Sequence, residues 1–394
     1  MLRLVCSLFS LVALLCATPA LAKDIVLGIP LPLTGAQAKF GEIQKRSYEM
    51  AAQEINAAGG IKGDKLVFRF EDSQGKPEIA RSIVEKLIDV GKQPVIVGEY
   101  TSSCAKAVAA VSEERKTPYV VVASAADEIT QQNYKYVFRI NPSNAYYATG
   151  LMSYLAEVVK PKTMVILYES SDFGTSGADE MAKSAEEAGI KVLMNERYEK
   201  GAVDFKPVLS QVKRVNPDMI YMVSYVMDAA LLMRQIKELR IDAKLFAGGA
   251  AGFAIPEFID NAKEASELVV TATLWSPQVK YPGAKAYADK YKAAQGDFPS
   301  YHGALAYSAA YVLADALGRA KSLTADDIRD ALKATDMLTA FGPVKFQDKD
   351  GYQNQNFLET LVLQVIDGKH ETIWPQSMAS AKYVYPIPRW RERK

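Results

Sequence analysis

From residue 24 onward, short apolar runs alternate with longer stretches whose apolar residues recur every three or four positions. Ile25 to Ile29 is a run of β-formers too short for a surface helix, and it reads as a strand buried on both faces. Pro30-Leu-Pro-Leu-Thr-Gly35 breaks it. From about Glu42, Tyr48, Ala51, Ala52 and Ile55 fall on one helical stripe, and Gly59-Gly60 supplies the left-handed stop. Leu66 to Phe70 starts the next strand, completing a βαβ unit, the elementary piece of a parallel sheet.

The alternation continues. Pro77 to Val90 carries the helical stripe Ile79, Ile83 and Leu87, Pro94 to Val97 is a buried strand, Ser103 to Glu114 a helix, and Tyr119 to Val122 and Val137 to Ile140 are strands. The cluster Asn141-Pro142-Ser143-Asn144 suits an interdomain crossing. A second series then opens with the strand Thr163 to Tyr168 and runs through a helix stopped by Gly189. Val192 to Tyr198, a helix around Phe205 to Arg214, Met219 to Val223, a helix Ala229 to Leu239, Leu245 to Ala247 and Leu268 to Thr273 follow. Two βα series of similar size predict an α/β protein of two doubly wound lobes. Residues 281–334 read as mostly helical, with Tyr287, Tyr291, Tyr307 and Tyr311 as packing, and the chain turns strand-like again after Gly342-Pro343.

Composition narrows the field. Met1 to Ala22 has an early Arg3, an apolar stretch and the Ala20-Leu21-Ala22 site of an export signal, so cleavage is expected after Ala22, with delivery to the periplasm. The remainder, about 370 residues, suits two domains. The whole chain has 47 basic and 46 acidic residues, so no basic excess points to nucleic acid or a membrane surface. Cys6 and Cys16 lie in the signal, which leaves Cys104 alone, more readily a small buried hydrophobe than a reactive thiol. The only histidines, His302 and His370, leave few candidates for metal or acid–base chemistry, and no cofactor is expected. The first strand is not followed by a G-x-G-x-x-G fingerprint, and the chain has no Walker A sequence and no G-x-S-x-G elbow.

In an open parallel sheet, ligands bind beyond the carboxyl ends of the strands. The loops that qualify are Leu33 to Gly41, Gly98 to Ser103 and Ala123 to Asp127 in the first series, and Glu169 to Gly174, Ser224 to Asp228 and Gly248 to Phe253 in the second. Ser102 or Ser103 can cap a helix whose free N–H groups receive a carboxylate, with Tyr100 and Thr101 beside them; capping alone is the alternative. Ala123, Ser124 and Ala125 give close backbone approach. Asp228 is most simply a helix N-cap, with ligand contact as the alternative. Phe40, Tyr100, Phe173 and Tyr225 stand in strand-end loops rather than in periodic stripes.

Pro32-Leu-Thr-Gly35, Gly41, Ile55-Asn-Ala-Ala-Gly-Gly-Ile-Lys-Gly63, Ser102-Ser103, Asp172-Phe-Gly174, Asp204-Phe205 and Gly342-Pro343 occur in an order that resembles the leucine/isoleucine/valine-binding family of periplasmic solute-binding proteins of ABC importers. The resemblance implies the type I fold: two Rossmann-like lobes joined by a three-segment hinge, residues 23–142 with 275–343 in one and 143–274 with 344–394 in the other. It implies a ligand carboxylate on Ser102 and on the strand end Ala123 to Ala125, and aromatic walls at Phe40, Phe173 and Tyr225. It also implies a monomer that hands its ligand to ABC permease subunits. Two positions depart from the pattern: the acid that meets a ligand ammonium falls on Ala250, and a hydroxyl residue falls on Ala125, although Ser124 is adjacent. The loop Glu71 to Gly75 lacks the family's disulfide cysteine. The expected ligand class is therefore an amino acid or related carboxylate or amide, with aromatic or 2-oxo acids as rivals and Asp228 as a candidate substitute charge. A receptor-coupled sensor and a secreted enzyme are the alternative functions.

Overall fold

The computed structural model describes residues 24–393; the expected export signal and its cleavage site lie outside them. The first series forms β1 (Asp24–Leu31), α1 (Ala38–Ala57), β2 (Lys65–Asp72), α2 (Pro77–Asp89), β3 (Ile96–Gly98), α3 (Ser102–Glu114), β4 (Tyr119–Val121) and β5 (Val137–Arg139). Helix α4 (Asn144–Tyr154) enters the second lobe and leads to β6 (Thr163–Glu169), α5 (Asp172–Glu187), β7 (Lys191–Tyr198), α6 (Lys206–Val215), β8 (Met219–Val223), α7 (Val226–Glu238), β9 (Leu245–Gly248), α8 (Pro256–Ala262) and β10 (Val270–Thr273). The chain then returns to the first lobe for α9 (Ala284–Gln295), α10 (Tyr301–Arg319) and α11 (Ala325–Lys333). Short strands β11 (Asp336–Leu338), β12 (Pro343–Lys345), β13 (Gln347–Lys349) and β14 (Tyr352–Gln355) follow, and then the closing pair β15 (Leu361–Ile366) and β16 (Lys369–Trp374).

Both lobes share one strand plan. In the first, β2 pairs with β1, β1 lies against β3, and the ladder β3-β4-β5-β14-β13 continues from there. In the second the order is β7-β6-β8-β9-β10-β15-β16. Each core reads 2-1-3-4-5 within its own lobe, so each reverses strand order beside its first strand, where α/β sheets open a crevice. The shared plan follows from the sequence: central strands such as β8 (burial complete along MIYMV) are apolar on both faces and need helices above and below. The stop of α1 has the expected form, with Gly59 and Gly60 at φ 108° and 71° and the Gly60 N–H reaching the Ile55 carbonyl at 3.0 Å.

The expected lobe boundary at residue 343 differs from the strand pairing. β13 and β14 extend the first sheet, because Gln355 aligns with Arg139 and the two are tied through buried side chains. Fully buried Arg139 donates to Gln355 Oε1 (2.6 Å), Ala126 O (2.6 Å) and Thr130 Oγ1 (2.8 Å). The third crossing therefore falls between β14 and β15. It is fastened to the first crossing: Gln355 Nε2 donates to Asn141 O at 2.8 Å and Asn356 Nδ2 to Ile140 O at 3.0 Å.

Candidate functional site

The carboxyl ends of the two sheets meet around a small cavity. Its first-lobe wall is made by Tyr100 and Ser102 after β3, Ala123 and Ala125 after β4, and Tyr301 and His302 at the start of α10; its second-lobe wall is made by Tyr147 of α4, Phe173 of α5, Tyr225 before α7, and Ala251 after β9. The lobes are drawn together so closely that a water molecule's centre has only about 10 Å³ to occupy, the space of a single water.

Polar contacts across the cleft hold this closed arrangement. Asp172, at the start of α5, accepts from Ser103 Oγ at 2.6 Å and pairs with Lys106 Nζ at 2.5 Å. Asp127 takes Ser176 Oγ at 2.7 Å, while its own N–H donates back to that hydroxyl at 3.1 Å. Lys39 of α1 reaches Glu257 of α8 at 2.9 Å, and the Ala251 N–H donates to Tyr301 Oη at 3.2 Å.

The helix end after β3 is built differently from expectation. The cap of α3 is Thr101, whose Oγ1 accepts from the Cys104 N–H, so Ser102 and Ser103 are freed for other partners. Ser102 Oγ accepts the N–H groups of Ala125 (3.3 Å) and Ala126 (3.1 Å). With both lone pairs occupied, its proton is left to donate into the cavity. Ser124 Oγ instead donates to the carbonyls of Tyr100 and Thr101, bracing the two strand ends. Behind them Glu99 is completely buried, accepting from Ser73 Oγ and from the N–H groups of Tyr100 (2.7 Å) and Thr101 (3.1 Å). Burial, only partly offset by those donors, pushes its carboxyl up to about 7.

Aromatic rings line much of the rest. Phe40 stacks on Tyr100 (centroids 4.4 Å apart, 14° between planes) and meets His302 edge-on at 4.8 Å. Tyr225 lies 5.8 Å from Tyr100 and 5.4 Å from Phe173, and Tyr301 stacks on His302 at 3.8 Å. His302 is fully buried, and burial drives its pKa down to about 3, so the ring is neutral. Two buried polar atoms here, the Tyr100 hydroxyl and His302 Nε2, lack a partner among the described residues.

Of the residues singled out by sequence, Tyr100, Ser102, Ala123, Ala125, Phe173 and Tyr225 line the cavity. Phe40 stands one layer behind, and Thr101 and Ser124 support the walls. Ala250 is buried, but its N–H is turned to Thr271 Oγ1, and its neighbour Ala251 takes the lining position. Asp228 neither caps its helix nor joins the wall: the N-cap position is Tyr225, and the Asp228 carboxylate accepts the Gly201 N–H at 3.0 Å. Cys104 is buried and inert, its thiol pushed up by burial. Tyr147, Tyr301 and His302 were not singled out for the site. The first follows the crossing cluster 141–144, and the other two follow Pro299-Ser300, a helix-start signal.

The chain matches the periplasmic binding protein family over residues 24–369. It is 30% identical over 383 residues to the Leu/Ile/Val-binding protein homolog 8 of Brucella melitensis biotype 1, covering 93% of this chain and 94% of the relative. It is also 30% identical over 336 residues to the leucine-, isoleucine-, valine-, threonine- and alanine-binding protein of Pseudomonas aeruginosa, covering 85% of this chain and 89% of that one. Among solved structures, the leucine-binding protein LivK of Thermotoga maritima superposes with a TM-score of 0.82 at 25% identity, covering 88% of this chain and 97% of that one. LivJ of Streptococcus pneumoniae in complex with isoleucine superposes with a TM-score of 0.80 at 25% identity, covering 90% and 100%. On the match of nearly its whole described length, with two lobes closing on one cleft, the chain belongs to the periplasmic binding protein family.

Proposed function

We propose that the protein is the extracytoplasmic solute-binding component of an ABC uptake system, one that captures an amino acid or a related small carboxylate or amide between its lobes and delivers it to a membrane permease. Export with removal of residues 1–22, a monomeric state and the absence of catalysis belong to the same reading. The observation that carries it is Ser102, whose doubly accepting hydroxyl and helix N-terminus converge on the cavity between the lobes. Relatives named as binding proteins for leucine, isoleucine and valine, one of them also for threonine and alanine, support the ligand class.

The cycle needs no chemistry. Ligand entering the open cleft is worth more to the closed form than to the open one, and that difference alone shifts the population. Micromolar affinity corresponds to about 8 kcal/mol, within reach of a few charge-assisted hydrogen bonds plus one buried side chain. Calorimetric titration of the exported protein with amino acids, organic acids and amides tests the reading: saturable one-to-one binding is expected, accompanied by a smaller radius of gyration in solution scattering. Binding of neutral sugars with no response to any acid, amino acid or amide overturns it.

A further inference from the structure

We propose that the cleft selects an aromatic carboxylate that carries no ammonium group, its acid end held by Ser102 and its ring set between Tyr100 and Tyr225. This rests on the reading of the cleft as a small-carboxylate site and narrows it.

At the acid end, Ser102 can give only its proton, because the Ala125 and Ala126 N–H groups occupy its oxygen. It stands in the first turn of α3, a 13-residue helix whose leading N–H groups have no intrahelical acceptor. Lys200 sits 4.9 Å over the Tyr225 ring, adding positive field from behind the wall without entering it. All three features favour a negative group in the cavity.

The wall holds no carboxylate to meet a positive one, and the attraction of its ring faces for a cation is small beside the cost of burying an ammonium. The lining consists of alanine, serine, phenylalanine, tyrosine and a neutral histidine. The buried carboxylates nearest to it are engaged elsewhere: Glu99 by Ser73 and two backbone N–H groups, Glu169 by Ser171, and Asp228 by Gly201. An ammonium brought here would meet no carboxylate in the lining, and its burial would go largely uncompensated. The polar groups left without partners, the Tyr100 hydroxyl and His302 Nε2, are neutral and suit a ring substituent or a carbonyl rather than a cation.

The shape points to a ring. Phe40, Tyr100, Tyr225 and Phe173 form a continuous run of rings across the cleft, with Tyr100 and Tyr225 5.8 Å apart and tilted 53° to each other. A ligand must part those two rings, and a flat π-system does so while stacking on one and meeting the other at an angle, both favourable aromatic contacts.

The test is calorimetry on the exported protein with paired probes: phenylpyruvate against phenylalanine, the keto acid of leucine against leucine, and benzoate alongside. Benzoate or phenylpyruvate is expected to bind at least about 100-fold more tightly than phenylalanine or leucine, and more tightly than the keto acid of leucine. Leucine, isoleucine or phenylalanine binding as well as or better than the aromatic acids overturns this inference and leaves the broader reading intact. The keto acid of leucine binding tightest also overturns it. Binding of no acid, amino acid or amide overturns both. Ser102→Ala should weaken aromatic acids at least about tenfold. If that variant fails to fold, Tyr225→Leu serves instead: it should weaken benzoate more than the keto acid of leucine, and equal loss for both counts against the ring placement.

Discussion

The ring of Tyr100 on the first lobe packs against the ring of Tyr225 on the second with centroids 5.8 Å apart and planes tilted by 53°, and the buried Tyr100 hydroxyl has no partner among the described residues. A buried hydroxyl without a partner costs about 1–3 kcal/mol. Tyr100→Phe removes that cost from the ligand-free closed form. The variant should melt at a higher temperature than the parent in the absence of ligand, yet bind its ligand about 5- to 20-fold more weakly. Paired thermal melts and titrations check this; unchanged affinity would mean the hydroxyl never meets the ligand.

Asp172 bridges the lobes. Burial pushes its carboxyl up, but Lys106 and Ser103 more than offset this and hold it below the ordinary carboxylate range. Because its pKa is depressed when the lobes meet, its contribution to closure is complete above the open-state pKa and is lost as pH falls through the closed-state value. Both partners are partly exposed, so Asp172→Asn should cost closure only about 0.5–1 kcal/mol. The expected result is a two- to fivefold weaker affinity, with less salt dependence than in the parent. Affinity independent of this residue at low ionic strength would rule the bridge out as a closure contact.

Glu99 gives a pH signature of opposite sign. Its pKa is raised to about 7 in the folded chain by burial, so the native state holds a proton that the unfolded state releases above the usual carboxylate value. Stability from this group is present below about pH 4.5 and is lost as pH rises toward 7. The loss is of the order of 3 kcal/mol. Glu99→Gln should therefore flatten the fall in melting temperature between pH 5 and pH 8. The comparison must be parent against variant, since neutral His302 and His370, with values near 3 and 4, destabilise the fold as pH drops. Parallel pH profiles for the two proteins would contradict the buried-acid account.

Gly252 holds the second-lobe wall in place by being small. A Cβ there would stand 2.4 Å from the Tyr225 carbonyl carbon and 2.5 Å from the Val226 nitrogen, backbone atoms that cannot step aside. Gly252→Ala should destabilise the protein by about 1–3 kcal/mol and shift Tyr225, lowering affinity well beyond what the melting temperature alone suggests. A fully active, equally stable variant would show that this loop is not what positions the ring.

The strand plan was legible because every central strand is an apolar run bounded by turn residues, as in Thr163–Glu169 and Met219–Val223. β13 and β14 were not, since QDK and YQNQ offer no hydrophobic alternation; they join the first sheet through Arg139 and Gln355, a pair 216 residues apart. The cavity loops were visible at the ends of β3 and β4, but the choice among Thr101, Ser102 and Ser103 as cap depends on the backbone path. Tyr301 and His302 follow a helix-start signal, Pro299-Ser300, but nothing in it points to the cleft. They begin a helix whose residues are nearly all buried, and only the return of the chain from β10 brings them to the cleft.

The fastening of Gln355 and Asn356 to Asn141 and Ile140 has a mechanical meaning. Two of the three straps between the lobes are laced side by side, and the third, after Thr273, leaves from beside them, since Thr273 pairs with Leu361. Straps laced to one another cannot slide past each other without breaking these bonds, so they can only bend together, as one spine. A permease of the kind proposed would then meet one reproducible closed outline, whatever the solute.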